Sequence, residues 1–251
     1  MSKELIIKGK TISSERAMVC VPIVASTRES ILEKVKNSID AGVSMIEIRG
    51  DYFDFIDDRH MLYDVLNDIK SMTGDVIVLF TIRTENEGGE ISLTPEEYKD
   101  ILLFTSASEC VDIIDVEVDS VEDPKHFISV LQNNGVYVVA SHHDFECTPV
   151  LIDLVEMYDN MHDSGADILK LACMPNNSED ALRILKAGAI ANKTYQENLV
   201  VAISMGQYGK MTRVVGSQVG SCITFAALEN QSAPGQIGYH ELVSILDTLK
   251  F

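Results

Sequence analysis

Asp167-Ile168-Leu169-Lys170-Leu171-Ala172-Cys173-Met174 is an apolar run of strand length with one cation at its centre. Seven more runs of similar character occur along the chain, at 18–24, 44–51, 76–83, 111–118, 135–141, 199–205 and 221–228. The segments between them carry helical periodicity and helix-start signals. Thr94-Pro95-Glu96-Glu97, Asp123-Pro124, Thr148-Pro149 and Ser178-Glu179-Asp180 are such starts, and 150–161 places Leu151, Ile152 and Val155 on one face. Strand–helix alternation of this kind predicts parallel βαβ units. Eight units favour a closed (β/α)8 TIM barrel over an open doubly wound sheet, and the 251 residues match the ~250 that such a barrel needs. The glycine-rich turn of a dinucleotide-binding sheet is missing, for Val24-Ala25-Ser26-Thr27 follows the first run. Residues 4–12 alternate like a short N-terminal hairpin, with Leu5, Ile7 and Ile12 apolar, and are expected to cap the barrel floor. One catalytic domain over 1–251 is the expected organisation.

The net charge of −19 argues against nucleic acid as a partner, since no run of Lys and Arg is present to displace counterions. An anionic ligand would need a local cluster of Arg to overcome that field. Five scattered Cys without a C-x-x-C pair read as small buried hydrophobes in a reducing compartment. The start MSKELIIKGK lacks the apolar core of a signal peptide, and no stretch approaches the ~18 apolar residues of a membrane span. A cytoplasmic protein without a membrane partner is expected.

Active sites of such barrels lie at the C-terminal ends of the strands, and the polar residues collect there. Glu47, Arg49 and Asp51 share one face by period-2 spacing; Arg83 ends the third run, and Asp115 and Glu117 lie in the fourth. His142-His143-Asp144 ends the fifth, Met205 the seventh, and Phe225 lies in the eighth. Lys170 is the sharpest signal, because an unpaired Lys is almost never buried. Burial disfavours its ammonium, and a neutral amine adds to a carbonyl to give an imine. A structural salt bridge with Glu47, Asp115 or Glu117 is the equally weighted alternative. Adjacent His point to opposite faces of a strand, so one of His142 and His143 enters the site, and a two-His metal site from this pair is not expected. The other four His fall in helices or their starts and read as surface residues. Gly206-Gln207-Tyr208-Gly209-Lys210-Met211-Thr212-Arg213 does not fit a nucleotide P-loop, yet a glycine-bearing loop that opens a helix can offer N–H groups to an anion. Ser232-Ala233-Pro234-Gly235-Gln236 forms a second turn-rich loop near the last strand.

Taken together, these segments resemble one family, the type I 3-dehydroquinases. The resemblance runs through Glu47-Ile48-Arg49-Gly50-Asp51, Phe80-Thr81-Ile82-Arg83, Glu87-Gly88-Gly89-Glu90 and Ile114-Asp115-Val116-Glu117. It continues in Ser141-His142-His143-Asp144-Phe145, Lys170-Leu171-Ala172-Cys173-Met174-Pro175, Ser204-Met205, Arg213 and Ser232-Ala233-Pro234-Gly235-Gln236-Ile237. It implies a hydro-lyase that converts 3-dehydroquinate to 3-dehydroshikimate in aromatic amino-acid biosynthesis, as a homodimer without metal or organic cofactor. By that resemblance Lys170 forms the imine, His143 moves the proton and Glu87 orients His143. Arg213, Ser232 and Gln236 would hold the substrate carboxylate, and Glu47, Arg49 and Arg83 the ring hydroxyls. Met205, Phe225 and Asp115 complete the expected substrate contacts. Pro22, Ile48, His142, Ile203 and Ser217 depart from residues frequent in the family. The alternatives are a class I aldolase that also uses a strand Lys, a metal-dependent barrel enzyme, and a barrel kept only for binding.

Overall fold

The computed structural model describes residues 3–228 and 235–249. Strands β3 (Met18–Ile23), β4 (Met45–Arg49), β5 (Ile77–Thr81), β6 (Ile113–Glu117), β7 (Tyr137–Asp144), β8 (Ile168–Cys173), β9 (Leu199–Ser204) and β10 (Ile223–Ala227) are parallel neighbours in one curled sheet. The ring closes where the Cys222 N–H donates to the Val200 carbonyl at 2.8 Å, beside a parallel bridge between Val200 and Ser221. Helices α1 (Arg28–Asp40), α2 (Arg59–Thr73), α3 (Pro95–Ala107), α4 (Pro124–Asn133), α5 (Leu151–Asp163), α6 (Ser178–Thr194), α7 (Gly206–Val215) and α8 (Tyr239–Thr248) follow the strands in turn. This is the (β/α)8 barrel that the eight runs predict. No helix among the described residues is long and apolar enough to cross a membrane.

The period of two along each strand separates two apolar layers. Ile46, Val78, Ile114, Val138, Leu169 and Val200 face outward into the layer beneath the helices. Met45, Ile77, Ile113, Val139, Ile168 and Leu199 face inward and fill the lower barrel. The hairpin β1 (Glu4–Ile7) and β2 (Lys10–Ser13) packs onto that inner layer through Ile7 and Ile12, which are 6% and 0% exposed. Its two-residue turn puts Lys8 and Gly9 both at positive φ, the conformation a tight right-twisting hairpin requires. Lys8 then reaches Asp112 at 2.8 Å and Lys10 pairs with Asp75, tying the hairpin to the floor.

The helix starts match expectation in part. Thr94 and Glu97 form a reciprocal capping box, and Asp123 accepts from the His126 N–H. Thr148 does not cap α5; its hydroxyl donates instead to the Met174 carbonyl at 2.9 Å, tying the loop after β7 to the end of β8. Asn177 rather than Ser178 caps α6. Strand β7 runs three residues past the apolar run at 135–141, because His142, His143 and Asp144 pair with Leu171, Ala172 and Cys173 of β8. A two-residue strand β11 (Ile237–Gly238), absent from the sequence reading, runs beside β10 and carries Gln236 to the barrel mouth.

Candidate active site

Interior side chains change character on the way up each strand. Met45 is followed by Glu47 and Arg49 in β4; Ile77 and Leu79 by Thr81 and Arg83 along β5; Ile113 by Asp115 and Glu117 in β6. In β7 the order is Val139, Ser141, His143, and in β8 it is Ile168, Lys170, Ala172. The strands that complete the ring stay apolar, with Ile203 and Met205, Phe225, and Pro22. The mouth thus holds one pocket with a charged wall and an apolar wall. Glu47, Arg49, Arg83, His143 and Lys170 line the first; Pro22, Ala172, Ile203, Met205 and Phe225 line the second; Arg213 and Gln236 also reach the pocket.

Lys170 is 4% exposed. Its Nζ donates to Asp115 Oδ2 at 2.9 Å, lies 3.9 Å from Glu47 Oε1, and sits 4.9 Å from the centre of the Phe225 ring. Two carboxylates face it at close range. The salt bridge weighed as the alternative to a reactive Lys170 is present, and it coexists with access to the pocket.

Arg83 organises the base of the charged wall. Its Nη1 donates to Glu87 Oε2 at 3.1 Å, Glu117 Oε1 at 2.8 Å and Ser141 Oγ at 3.2 Å, and its Nη2 to Asp115 Oδ1 at 2.9 Å. Asp115 has no exposed surface, and both its oxygens are already engaged by Lys170, Arg83 and Ser141. It stands behind the wall as the partner of Lys170, which corrects the expectation that it contacts a ligand. The cations around Asp115, Arg83 before Lys170, outweigh burial and hold its carboxyl at about 2. Thr81 donates to Glu47 at 2.9 Å, and Arg49 is clamped to Asp51 at 2.8 and 2.6 Å.

His143 and Glu87 form a dyad. Glu87 Oε2 accepts the His143 backbone N–H at 3.0 Å and lies 2.9 Å from its Nδ1. An oxygen that already accepts from a backbone N–H and from Arg83 can only accept from the ring as well, so Nδ1 carries the proton and Nε2 keeps its lone pair. Burial lowers the His143 pKa well below the usual imidazole value, and Arg83, Lys170 and Arg49 lower it further. Burial pushes Glu87 up to about 9 against the pull of Arg83. The loop that carries Glu87 needs its glycines. Gly88 is left-handed at φ 79°, and a Cβ there would stand 2.6 Å from the Phe145 ring, while a Cβ on Gly89 would meet the Arg83 carbonyl at 1.8 Å. Phe145, 38% exposed, leans over this loop at the edge of the pocket.

Arg213 is 3% exposed, and its Nη1 donates to the Phe225 carbonyl at 3.3 Å. Burial lowers it to about 10, so it remains a cation at neutral pH. Gln236 is 4% exposed at the start of β11, and Ser232 lies outside the described residues. Ala172, Ile203, Pro22 and Phe145 line the pocket without having been assigned to it from the sequence. The first two stand two residues from Lys170 and Met205, so strand parity alone would have placed them on the same face.

Fold and pocket together define a (β/α)8 barrel in which a Lys and a His from neighbouring strands open onto one pocket at the mouth. The chain belongs to the type I 3-dehydroquinase family, whose model matches residues 19–250. A 3-dehydroquinate dehydratase of Clostridioides difficile is 34% identical over 99% of this chain and 98% of its own length. One from Bacillus subtilis is 34% identical over 98% and 96%. The crystal structure of the type I enzyme from Clostridium difficile, covalently modified with comenic acid, superposes with a TM-score of 0.95 at 33% identity, covering 100% of this chain and 99% of that one. The 3-dehydroquinate dehydratase of Geobacillus kaustophilus also gives 0.95, at 29% identity over 99% and 96%.

Proposed function

We propose that this chain dehydrates 3-dehydroquinate to 3-dehydroshikimate through an imine on Lys170. The observation that carries the reading is one pocket, in a chain of this family, onto which a buried Lys and a buried neutral His both open from neighbouring strands. Lys170 in its amine form adds to the ring ketone, and loss of water gives an iminium. His143 Nε2 removes a proton from the adjacent carbon, and the iminium takes up the electron pair as an enamine. The enamine expels the neighbouring hydroxyl, which leaves as water with the proton returned by His143. A second water then hydrolyses the conjugated imine and frees Lys170. A positioned general base typically contributes roughly 10²–10⁴-fold.

The remaining residues hold and orient. Arg213, with Gln236 and Ser232, supplies the cationic end for a carboxylate, for which a planar guanidinium suits better than an ammonium. Glu47, Arg49 and Arg83 face the hydroxylated edge of the ring, and Met205, Phe225, Ile203 and Pro22 its apolar face. Asp115 holds Lys170 in place from below, and Glu87 sets the tautomer of His143. The family resemblance further supports a cytoplasmic homodimer built from one catalytic domain over 1–251.

Borohydride added during turnover is expected to reduce the adduct onto Lys170 irreversibly, with a mass increase confined to the peptide that contains it. Label on another residue, or complete turnover with none, would remove Lys170 from its role. The class I aldolase alternative predicts a trapped adduct too, but no ultraviolet rise from enone formation with 3-dehydroquinate.

A further inference from the structure

Strand β4 ends at Arg49, and the next three residues leave the strand as the 3₁₀ turn Gly50–Tyr52. Asp51 thus departs from the strand face on which period-two spacing places it, and the turn brings its carboxylate onto the Arg49 guanidinium. Its Oδ1 accepts from Nε at 2.8 Å and its Oδ2 from Nη2 at 2.6 Å, a two-bond fork of the strong, charge-assisted kind. Oδ1 also accepts the Arg83 backbone N–H at 3.3 Å, so one carboxylate locates both arginines of the charged wall. The turn needs its glycine: a Cβ on Gly50 would stand 2.7 Å from Phe80 and from Ile82, which are fully buried. The Phe53 N–H closes the turn on the Gly50 carbonyl at 3.0 Å.

Tyr52 bears on the same guanidinium. Its ring centre lies 5.1 Å from Arg49 Cζ, within the ~6 Å at which a cation is drawn to an aromatic face. Its hydroxyl donates to Glu90 Oε1 at 3.3 Å, a long bond to an exposed carboxylate, and adds little. Burial raises the Tyr52 phenol above its usual value against the pull of Arg49, so it keeps its proton at neutral pH. Asp51 takes Nε and Nη2 of Arg49, and Nη1 remains for the pocket that this side chain lines.

We infer that Asp51 and Tyr52 are positioning residues that hold Arg49 in the one orientation that reads a ring hydroxyl of the substrate. Neither is among the residues that line the pocket, so both act through Arg49. The inference rests on the reading of the pocket as a site for a hydroxylated ring. An unrestrained arginine must be ordered when a ligand binds, whereas a guanidinium already fixed need not be. A fixed donor also loses its partner when the hydroxyl is missing, while a mobile one swings away to water. Asp51 and Tyr52 therefore act on affinity and on the choice between substrates, and leave proton transfer at His143 as it is.

The test follows enone formation kinetically and the Arg49 Nε–H signal by nitrogen–proton NMR, assigned by its loss in Arg49→Lys. Tyr52→Leu is expected to raise KM about two- to fivefold, the strength of an exposed cation–π contact, with kcat within about twofold. Tyr52→Phe keeps the ring and restores the KM of the unmodified chain. Asp51→Asn is expected to raise KM about tenfold or more. Tyr52→Leu and Asp51→Asn both narrow the ratio of kcat/KM between 3-dehydroquinate and analogues lacking a ring hydroxyl that the reaction retains. The Nε–H signal is expected to exchange slowly with water in the unmodified chain and in Tyr52→Phe, and faster in the other two. An unchanged KM in Tyr52→Leu and Asp51→Asn, a loss confined to kcat, or a KM that rises as much in Tyr52→Phe as in Tyr52→Leu overturns the assignment. So does an Nε–H signal equally protected in every variant. Should Asp51→Asn fail to fold, the half-buried Tyr52 and its two variants decide the matter. No enone from the unmodified chain would sink the dehydration reading instead, and the Nε–H signal then decides the holding role by itself.

Discussion

Where β4 enters the barrel its inward residue is Met45; two residues on it is Glu47, and two further it is Arg49. The same climb takes β6 from Ile113 to Asp115 and Glu117, and β8 from Ile168 to Lys170. Floor and mouth are thus built from the same strands with the same backbone pairing, and they are held together differently. The floor rests on volume. Ile7 and Ile12 from the hairpin fill the space between Met45, Ile77, Ile113 and Ile168, and each fully buried side chain of that size contributes roughly 1.5–3 kcal/mol. The mouth rests on pairing. Its buried carboxylates and cations are each tolerable only because the others are present, and removing one member of such a pair typically costs about 3–5 kcal/mol. A region held by volume tolerates any residue that fills it, whereas a region held by charge pairs specifies each partner.

That contrast can be broken most directly at His143, which belongs to the mouth but pairs through a single carboxylate. His143→Ala is expected to lower kcat by roughly 10²–10⁴-fold, while borohydride still traps the imine and thermal unfolding stays close to that of the unmodified chain. A large drop in Tm with the same loss of activity would make His143 a structural residue. At the other end, Ile12→Ala is expected to destabilise the fold by about 2–5 kcal/mol in urea titration. Turnover per folded molecule should be unchanged, and a fall in kcat of the remaining native protein would show that floor and mouth are not separable. The smallest effect is in pH. Because burial and three cations hold His143 well below the usual imidazole pKa, the base is unprotonated at pH 7 and stays so down past 6.5. kcat/KM should therefore change little between pH 8 and 7 and decline only below the ordinary imidazole range; a limb centred at 6.5 or above would contradict that setting.

The barrel was legible because β-branched runs and amphipathic helices differ in period, and eight alternations leave few topologies. His142-His143-Asp144 was legible as the close of the fifth run, but its composition is not strand-like, and it is held extended by its neighbour β8. Lys170 and His143 stood out as polar residues in apolar strands. Asp115 was legible as an inward residue but not as a buried one: parity gives the face a side chain points to, and its height in the barrel depends on the stagger of the strands around it. The contribution of Arg83 was hidden for a similar reason. Its contacts with Glu87, Glu117, Asp115 and Ser141 bridge up to 58 positions in sequence, and no local pattern records them. Parity was informative where it went unused, as Ala172 and Ile203 show.

The hairpin beneath the barrel has a consequence for traffic. Among the described residues Ile7 and Ile12 fill the lower end of the barrel, and the pocket of the charged wall opens at the upper end. The ring must come in by the route it leaves, and the water expelled in forming an adduct departs along the path by which hydrolytic water later arrives. Any cover that closes over the mouth must therefore reopen, or leave a gap the size of a water molecule, before the cycle can finish.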